Sequence, residues 1–315
     1  MSNMSTKVER YLEFRRGLGY QLRTEGKLLE QFAAFADAAG HRGPLTTDLA
    51  LRWARSPKGC DRLYSARRLE IVRCFARHLA VTEPGTEVPL RSLLGPAHRR
   101  TSPHIYSEAE IAALLAAAGR LAPTNGLRPQ TYVTLFGLLA STGLRISEAL
   151  HLQRADADLG RSVLKIRETK FRKIRLVPMH STTTAALQAY ADVRERLATE
   201  TDCDCFFVSD RGQALPYSTV RGAFRRLWDS LGITSAGRRR PRLHDLRHTF
   251  ACRRIEQCYD AHADVDQAVS ALSVYLGHAK VSDTYWYVTA TPGLVARAAQ
   301  RFETFAAPPE QEVRS

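Results

Sequence analysis

The 315-residue chain has no apolar run of the roughly 18 residues that a membrane span requires. Its opening stretch, Met1 to Lys7, is polar and has no signal-like apolar core. The expectation is a protein that stays in the cytoplasm. Cysteine is sparse. The six residues Cys60, Cys74, Cys203, Cys205, Cys252 and Cys258 form no disulfide-like framework, which fits a reducing compartment. No CxxC pair is present, and Cys203-Asp204-Cys205 has no nearby Cys/His set to complete four ligands. No metal and no cofactor are expected. There is no internal repeat. Acidic residues are also in short supply, 32 against 46 Lys and Arg, which leaves a formal charge of +14. A solvated basic surface is one reading of that excess, and a polyanionic partner is the sharper one. A membrane surface fits less well, because no amphipathic lysine-rich tail accompanies the charge.

What is present is enough apolar content, 44%, for two domains with a core each. Val8, Tyr11, Leu12 and Phe14 recur at helical spacing until Gly17-Leu18-Gly19. Leu28, Leu29, Phe32 and Phe35 mark a second helix that stops at Gly40. A third, capped by Thr47 or Asp48, carries Leu49, Leu51 and Trp53. A fourth runs from about Leu63 to Leu79, with Arg67, Arg68, Arg73 and Arg77 off its apolar stripe. These predict a small helical bundle with a basic face over residues 1–85. Residues 86–104, with prolines and the basic run His98-Arg99-Arg100, read as a linker.

A second domain is expected over 105–304. Ser107 to Glu110 has the form of a capping box. Thr131 to Ala140 reads as a buried helix, and Leu144 to Leu150 resumes it after Ser141-Thr142-Gly143. The period then changes. Val163, Leu164 and Ile166, then Ile174, Leu176 and Val177, predict two strands around a Lys170-to-Lys173 turn. Thr182 to Leu197 and Tyr217 to Leu231 are helical, with a short strand at Phe206-Phe207-Val208 between them. Residues 305–315 are polar and expected to be disordered. The fold class is therefore mainly α with a small antiparallel sheet: a helical bundle followed by an α+β domain.

Several residues could carry chemistry. Arg145 follows a glycine turn at a helix start, where a guanidinium can fork onto two phosphate oxygens or simply pair with Glu148. Lys170 sits at a hairpin tip, either solvated or within reach of a phosphate. His244, Arg247 and His248 share one side of a helix. They lack the glutamate of the zinc-binding HExxH pattern. His244 with Arg247 makes a plausible phosphate clamp, and His248 is assigned a structural role. His278 follows Gly277 at a loop-to-helix junction. Tyr285 and Tyr287, two positions apart, are rotated by about 200° on a helix and cannot both face one site. A tyrosine needs neighbouring positive charge to act as a nucleophile at neutral pH. The competing reading makes both tyrosines core or DNA-contacting aromatics.

Taken in order, Thr142-Gly143-Leu144-Arg145-Ile146-Ser147-Glu148, Thr169-Lys170 before Arg175-Leu176-Val177-Pro178, His244-Asp245-Leu246-Arg247-His248-Thr249, and Leu276-Gly277-His278 followed by Tyr287 resemble the tyrosine recombinases, the phage-integrase family. The resemblance runs from about residue 105 to 290. The Tyr285-Trp286-Tyr287 cluster with Thr289 to Leu294 is similar to integrases of transposon-type mobile elements. The stretch from Gln257 to Ser270 departs from compact members in being long and polar.

The resemblance implies a core-binding, DNA-binding bundle and a recombinase catalytic domain. It implies that Tyr287 rather than Tyr285 attacks a DNA phosphate to form a 3′-phosphotyrosyl link. It gives Arg145 and Arg247 the non-bridging oxygens, Lys170 the leaving 5′-oxygen, His244 proton transfer at the tyrosine, and His278 a hydrogen bond to the phosphate. Partners would be double-stranded DNA with specific recombination sites and three further protomers, or related recombinases in a synapse. Pro292 to Phe305 would be the segment that docks onto a neighbour. The place of action would be the cytoplasm, on the nucleoid. Two other readings stay open: a type IB topoisomerase-like enzyme, and an accessory DNA-binding subunit without catalysis.

Overall fold

The computed structural model describes residues 3–97, 102–167, 174–198, 203–233, 240–289 and 291–306. The chain divides into two compact units, Met1–Thr101 and Ser102–Ser315.

The first unit is a bundle of α1 (Met4–Gly17), α2 (Arg23–Ala38), α3 (Thr47–Arg55) and α4 (Arg62–Leu79). Its helix starts are closed by side chains. Asn3 accepts from Thr6 N, Thr46 from Leu49 N and Asp61 from Leu63 N. The cap of α3 is thus Thr46, ahead of the expected Thr47 or Asp48, because its hydroxyl lies outside the helix where the orphan amides point. Asp37, at the end of α2, accepts from Met4 N at 2.9 Å and Ser5 N at 3.1 Å, and so pins the start of α1. Phe32, Leu49, Trp53, Val72 and Phe75 fill the core.

Two sequence expectations shift here. Phe14 is exposed and stacks on His78 at 5.1 Å instead of entering the core. Arg68 is buried, its guanidinium 3.7 Å from the Trp53 ring and bonded to Trp53 O, so it belongs to the core and not to a basic face. Arg67 and Arg77 remain exposed. In the stretch read as a linker, Val88 and Leu94 pack against the bundle core. His98, Arg99 and Arg100 lie outside the described residues.

The second unit begins with α5 (Glu108–Gly119), closed by the expected capping box of Ser107 and Glu110. Next come α6 (Leu127–Thr142) and α7 (Ile146–Leu150), then the strands β1 (Ala157–Asp158), β2 (Val163–Ile166) and β3 (Arg175–Pro178). The three strands form an antiparallel sheet in the order β1-β2-β3, with Val163 opposite Pro178 and Ile166 opposite Arg175. Leu164, Ile166 and Val177 point inward, while Leu176 is exposed. The chain continues through α8 (Ser181–Leu197), α9 (Tyr217–Ser230), α10 (Leu243–Asp260), α11 (Val265–Leu276), α12 (Ser282–Val288) and α13 (Pro292–Ala306).

Residues 206–208 are not a strand. Only single bridges form there, Gln153 to Cys205 and Val208 to Ala214, while Phe206, Phe207 and Val208 are buried against Tyr190 and its neighbours. The long polar stretch from Gln257 to Ser270 resolves into the end of α10 and the start of α11, which Asp264 caps.

One core gathers around α6 through Leu135, Phe136, Leu139, Tyr190, Phe207 and Phe224. A smaller one joins α10 to α13 through Phe250, Ile255, Val269, Leu276, Tyr287 and Leu294. In this single chain α13 lies against α10. Leu294 is fully buried and Arg297 pairs with Asp260 at 2.8 Å. Among the described residues no helix is long and apolar enough to cross a membrane.

Candidate active site

Two glycines position the site. Gly143 ends α6 and Gly277 ends α11, both in the left-handed conformation at φ 63° and 69°. A Cβ on Gly143 would lie 2.5 Å from Phe250 Cδ1, and one on Gly277 would lie 2.8 Å from Arg175 Nη1. Only glycine meets both the torsion and the space. The turns they allow present carbonyls at helix C-termini, where partial negative charge collects. Arg247 uses two of them, donating from Nη1 to Gly143 O at 2.8 Å and from Nη2 to Leu276 O at 2.7 Å. Arg145 uses a third, donating from Nη2 to Gly277 O at 3.1 Å. The helix ends are thus cross-linked through the two arginines, which come from segments a hundred residues apart.

Arg145 is the N-cap of α7, not a residue inside that helix. Its backbone N–H and its Nη1 both donate to Glu148, at 2.9 and 2.8 Å. Both readings offered by the sequence are therefore compatible: Arg145 pairs with Glu148 and also stands at the site. Glu148 is buried and also takes a two-pronged bond from Arg175, at 2.9 and 2.8 Å. Burial would raise its carboxyl, but Arg175 and then Arg145 hold it down to about 2. Arg175 Nε reaches Tyr275 O at 2.9 Å, so β3 is fastened to α11 beside Gly277.

Arg247 is almost fully buried, 2% exposed. Burial and the nearby Arg145 charge lower it to about 10, still fully protonated at neutral pH. His278 follows Gly277, and its Nδ1 lies 2.7 Å from Thr284 Oγ1. Its ring stacks on Tyr287, with centroids 6.2 Å apart. Burial, then Arg247 and Arg145, push it down to about 4. His244 stands edge-on to His248 at 4.7 Å and is lowered to about 4 by burial and then Arg247, although its solvent-facing side screens that effect.

Tyr287 is buried on α12. Burial raises its phenol, and the charge and hydrogen bond of Arg247 offset this in part. Tyr285 is exposed, and its hydroxyl donates to Asp266 at 2.9 Å, away from the arginines. The two tyrosines face different ways, as their two-residue offset on a helix predicts. Lys170 lies outside the described residues. Arg145, His244, Arg247, His278 and Tyr287 are otherwise brought together.

His248, expected to be structural, lies at the tyrosine. Its Nδ1 lies 3.0 Å from the Tyr287 hydroxyl, the two rings 5.4 Å apart. The signal was the four-residue step from His244, which puts both rings on one helix face. Glu148 and Arg175 were visible only as neighbours of other candidates.

A family profile described as "Phage integrase family" matches residues 106–293. The integrase/recombinase y4rB of Sinorhizobium fredii is 41% identical over 309 residues, covering 96% of this chain and 98% of the relative. Tyrosine recombinase XerC of Chlamydia muridarum is 29% identical over 221 residues, 70% of this chain and 65% of the relative. Among solved structures, the Tn1549 transposon integrase in complex with transposon right-end DNA superposes with a TM-score of 0.71 at 17% identity, covering 97% of this chain and all of that one. XerH recombinase bound to palindromic difH substrate gives 0.67 at 18%, covering 95% and 85%. At these identities the structural likeness speaks for the fold.

Proposed function

The chain belongs to the phage integrase family, and we propose that it breaks and rejoins DNA at specific sites through a 3′-phosphotyrosyl intermediate, in the service of a mobile element. One observation carries the proposal: two arginines with hydrogen-bonding groups to spare, and a buried tyrosine flanked by neutral histidines, meet at the ends of α6, α10, α11 and α12. Tyr287 Oη attacks the scissile phosphorus. Arg145 and Arg247 receive the non-bridging oxygens, whose charge grows in the transition state, from positions already fixed by carbonyls. With Nδ1 of His278 engaged by Thr284, its Nε2 serves as hydrogen-bond donor to the same phosphate. His244, packed on His248, assists proton transfer at the tyrosine. Lys170 protonates the departing 5′-oxygen. The new phosphodiester to tyrosine keeps the energy of the old one, so a 5′-hydroxyl from a partner strand can reverse the step without ATP. Four protomers on two duplexes would complete an exchange.

The test is a nicked duplex whose cleaved end diffuses away, leaving an SDS-resistant protein–DNA adduct. Tyr287→Phe abolishes the adduct and keeps DNA binding. Tyr285→Phe retains it. The reverse pattern would move the nucleophile to Tyr285.

A further inference from the structure

The roles implied by the family give proton transfer at Tyr287 to His244, whereas the ring within hydrogen-bond distance of the hydroxyl is that of His248. That hydroxyl is buried, and its acidity is weakened rather than strengthened by the surroundings. The nucleophile therefore starts as a phenol and must lose its proton during attack. Among the described residues, the acceptor within hydrogen-bond distance of Tyr287 Oη is Nδ1 of His248, at 3.0 Å.

We propose, building on the phosphotyrosyl reading, that His248 is a catalytic residue: its Nδ1 takes the phenolic proton of Tyr287 as the tyrosine attacks. In the step, the Tyr287 Oη–H bond breaks and an N–H bond forms on His248. The Oη–P bond forms, and the P–O5′ bond breaks with its electron pair on O5′. That oxygen takes a proton from the acid assigned to Lys170. His248 can accept when its own ring proton is on Nε2.

The geometry is specific. His248 sits on α10 one turn beyond His244, whose ring meets it edge-on at 4.7 Å. Trp286 closes a further side at 5.5 Å. The charged and titratable groups that bear on His248 are His244 and Arg247 on its own helix, Arg242 at that helix's N-cap, His278 from the α11–α12 junction, and Tyr287 on α12. Burial first, then those positive neighbours, lower it to about 3, which keeps the ring neutral and its lone pair free at neutral pH. A phosphate anion arriving between Arg145 and Arg247 supplies the negative charge that raises the ring's proton affinity at the moment of attack. His244 then acts on the far side of His248, orienting it.

The test needs a substrate the wild-type chain accepts. A nicked duplex is drawn from a random-sequence pool by SDS-resistant adduct formation with the full wild-type chain. Adduct formation on it is timed from about pH 6 to about pH 9 for wild type, His248→Phe and His248→Gln. With an internal base that stays neutral throughout, the wild-type rate is flat. His248→Phe is slower by about 100-fold at neutral pH, and its rate climbs about tenfold per pH unit as hydroxide takes over. His248→Gln, which can accept a hydrogen bond but not hold the proton, shows the same slope at an intermediate rate. DNA binding and thermal midpoint stay at wild-type values.

A His248→Phe rate within about threefold of wild type would show the ring idle, and a uniform loss with a flat profile would show it merely structural. Either outcome overturns the proposal while leaving the phosphotyrosyl reading intact, because the wild type still forms the adduct. If the pool yields no wild-type adduct, reading and inference fall together.

Discussion

The two arginines of the site carry the same charge and are held in opposite ways. Arg145 is partly open, with 29% of its side chain exposed, and leans on Glu148, which also neutralises Arg175. Arg247 is buried and, among the described residues, has no carboxylate within ion-pair distance. Its bonds run to Gly143 O and Leu276 O. One side of the site is a carboxylate network that fixes geometry. The other is a desolvated charge supported by helix-end dipoles, which is costly while the site is empty and most rewarding to an incoming anion. The contrast teaches that the second arginine is preorganised for charge and the first for position.

The largest expected effect follows on the buried side. Arg247→Lys keeps a positive charge but loses the fork, so it cannot hold both carbonyls and still face a phosphate. Adduct formation on a nicked substrate should fall by about 100- to 1000-fold. Arg145→Lys should fall less, because Glu148 can still place the charge. Equal losses would erase the distinction between the two sides.

The carboxylate side is probed by Glu148→Gln. It leaves the half-buried Arg175 with half its fork unmet, and should cost about 3 kcal/mol of stability. Cleavage should drop by about tenfold, through misplacement of Arg145. Adding Arg175→Gln removes the unpaired charge and should restore much of the stability without restoring the rate. A double variant no more stable than Glu148→Gln would mean that the network is not where the energy lies.

Local structure was legible wherever its cause was local. The capping box at Ser107, the stops at Gly40 and Gly143, and the pairing of Val163–Ile166 with Arg175–Pro178 follow from residue type and period. Errors arose where packing decides. Phe14 fits the helical period yet faces outward, and Arg68 looks like surface charge yet lies under Trp53. Residues 206–208 have strand composition but only isolated bridges. At the site, the candidate list followed from motifs in order, while the connections did not. Arg247 finds an acceptor 104 positions away and His248 finds Tyr287 39 positions away. Spacing on α10 shows that His244 and His248 share a face, but only the docking of α12 selects which of them meets the hydroxyl.

The same contrast should appear on acidification, where the effect is smaller. His248, lowered to about 3, and His278, lowered to about 4, bind protons more readily in the unfolded chain. Their contribution to stability is complete above about pH 6.5 and is lost as pH falls toward their folded values. Glu148, lowered to about 2, follows the same sign in a lower window, keeping its contribution until the pH drops below about 4.5. Thermal midpoints recorded against pH should therefore fall in two stages, the histidine side first and the carboxylate side second. His248→Phe should shrink the first stage and leave the second, and Glu148→Gln should do the reverse. Should both variants flatten the same stage, the two sides would titrate as one unit, and the separation drawn between the charged arginine and the positioned one would not survive.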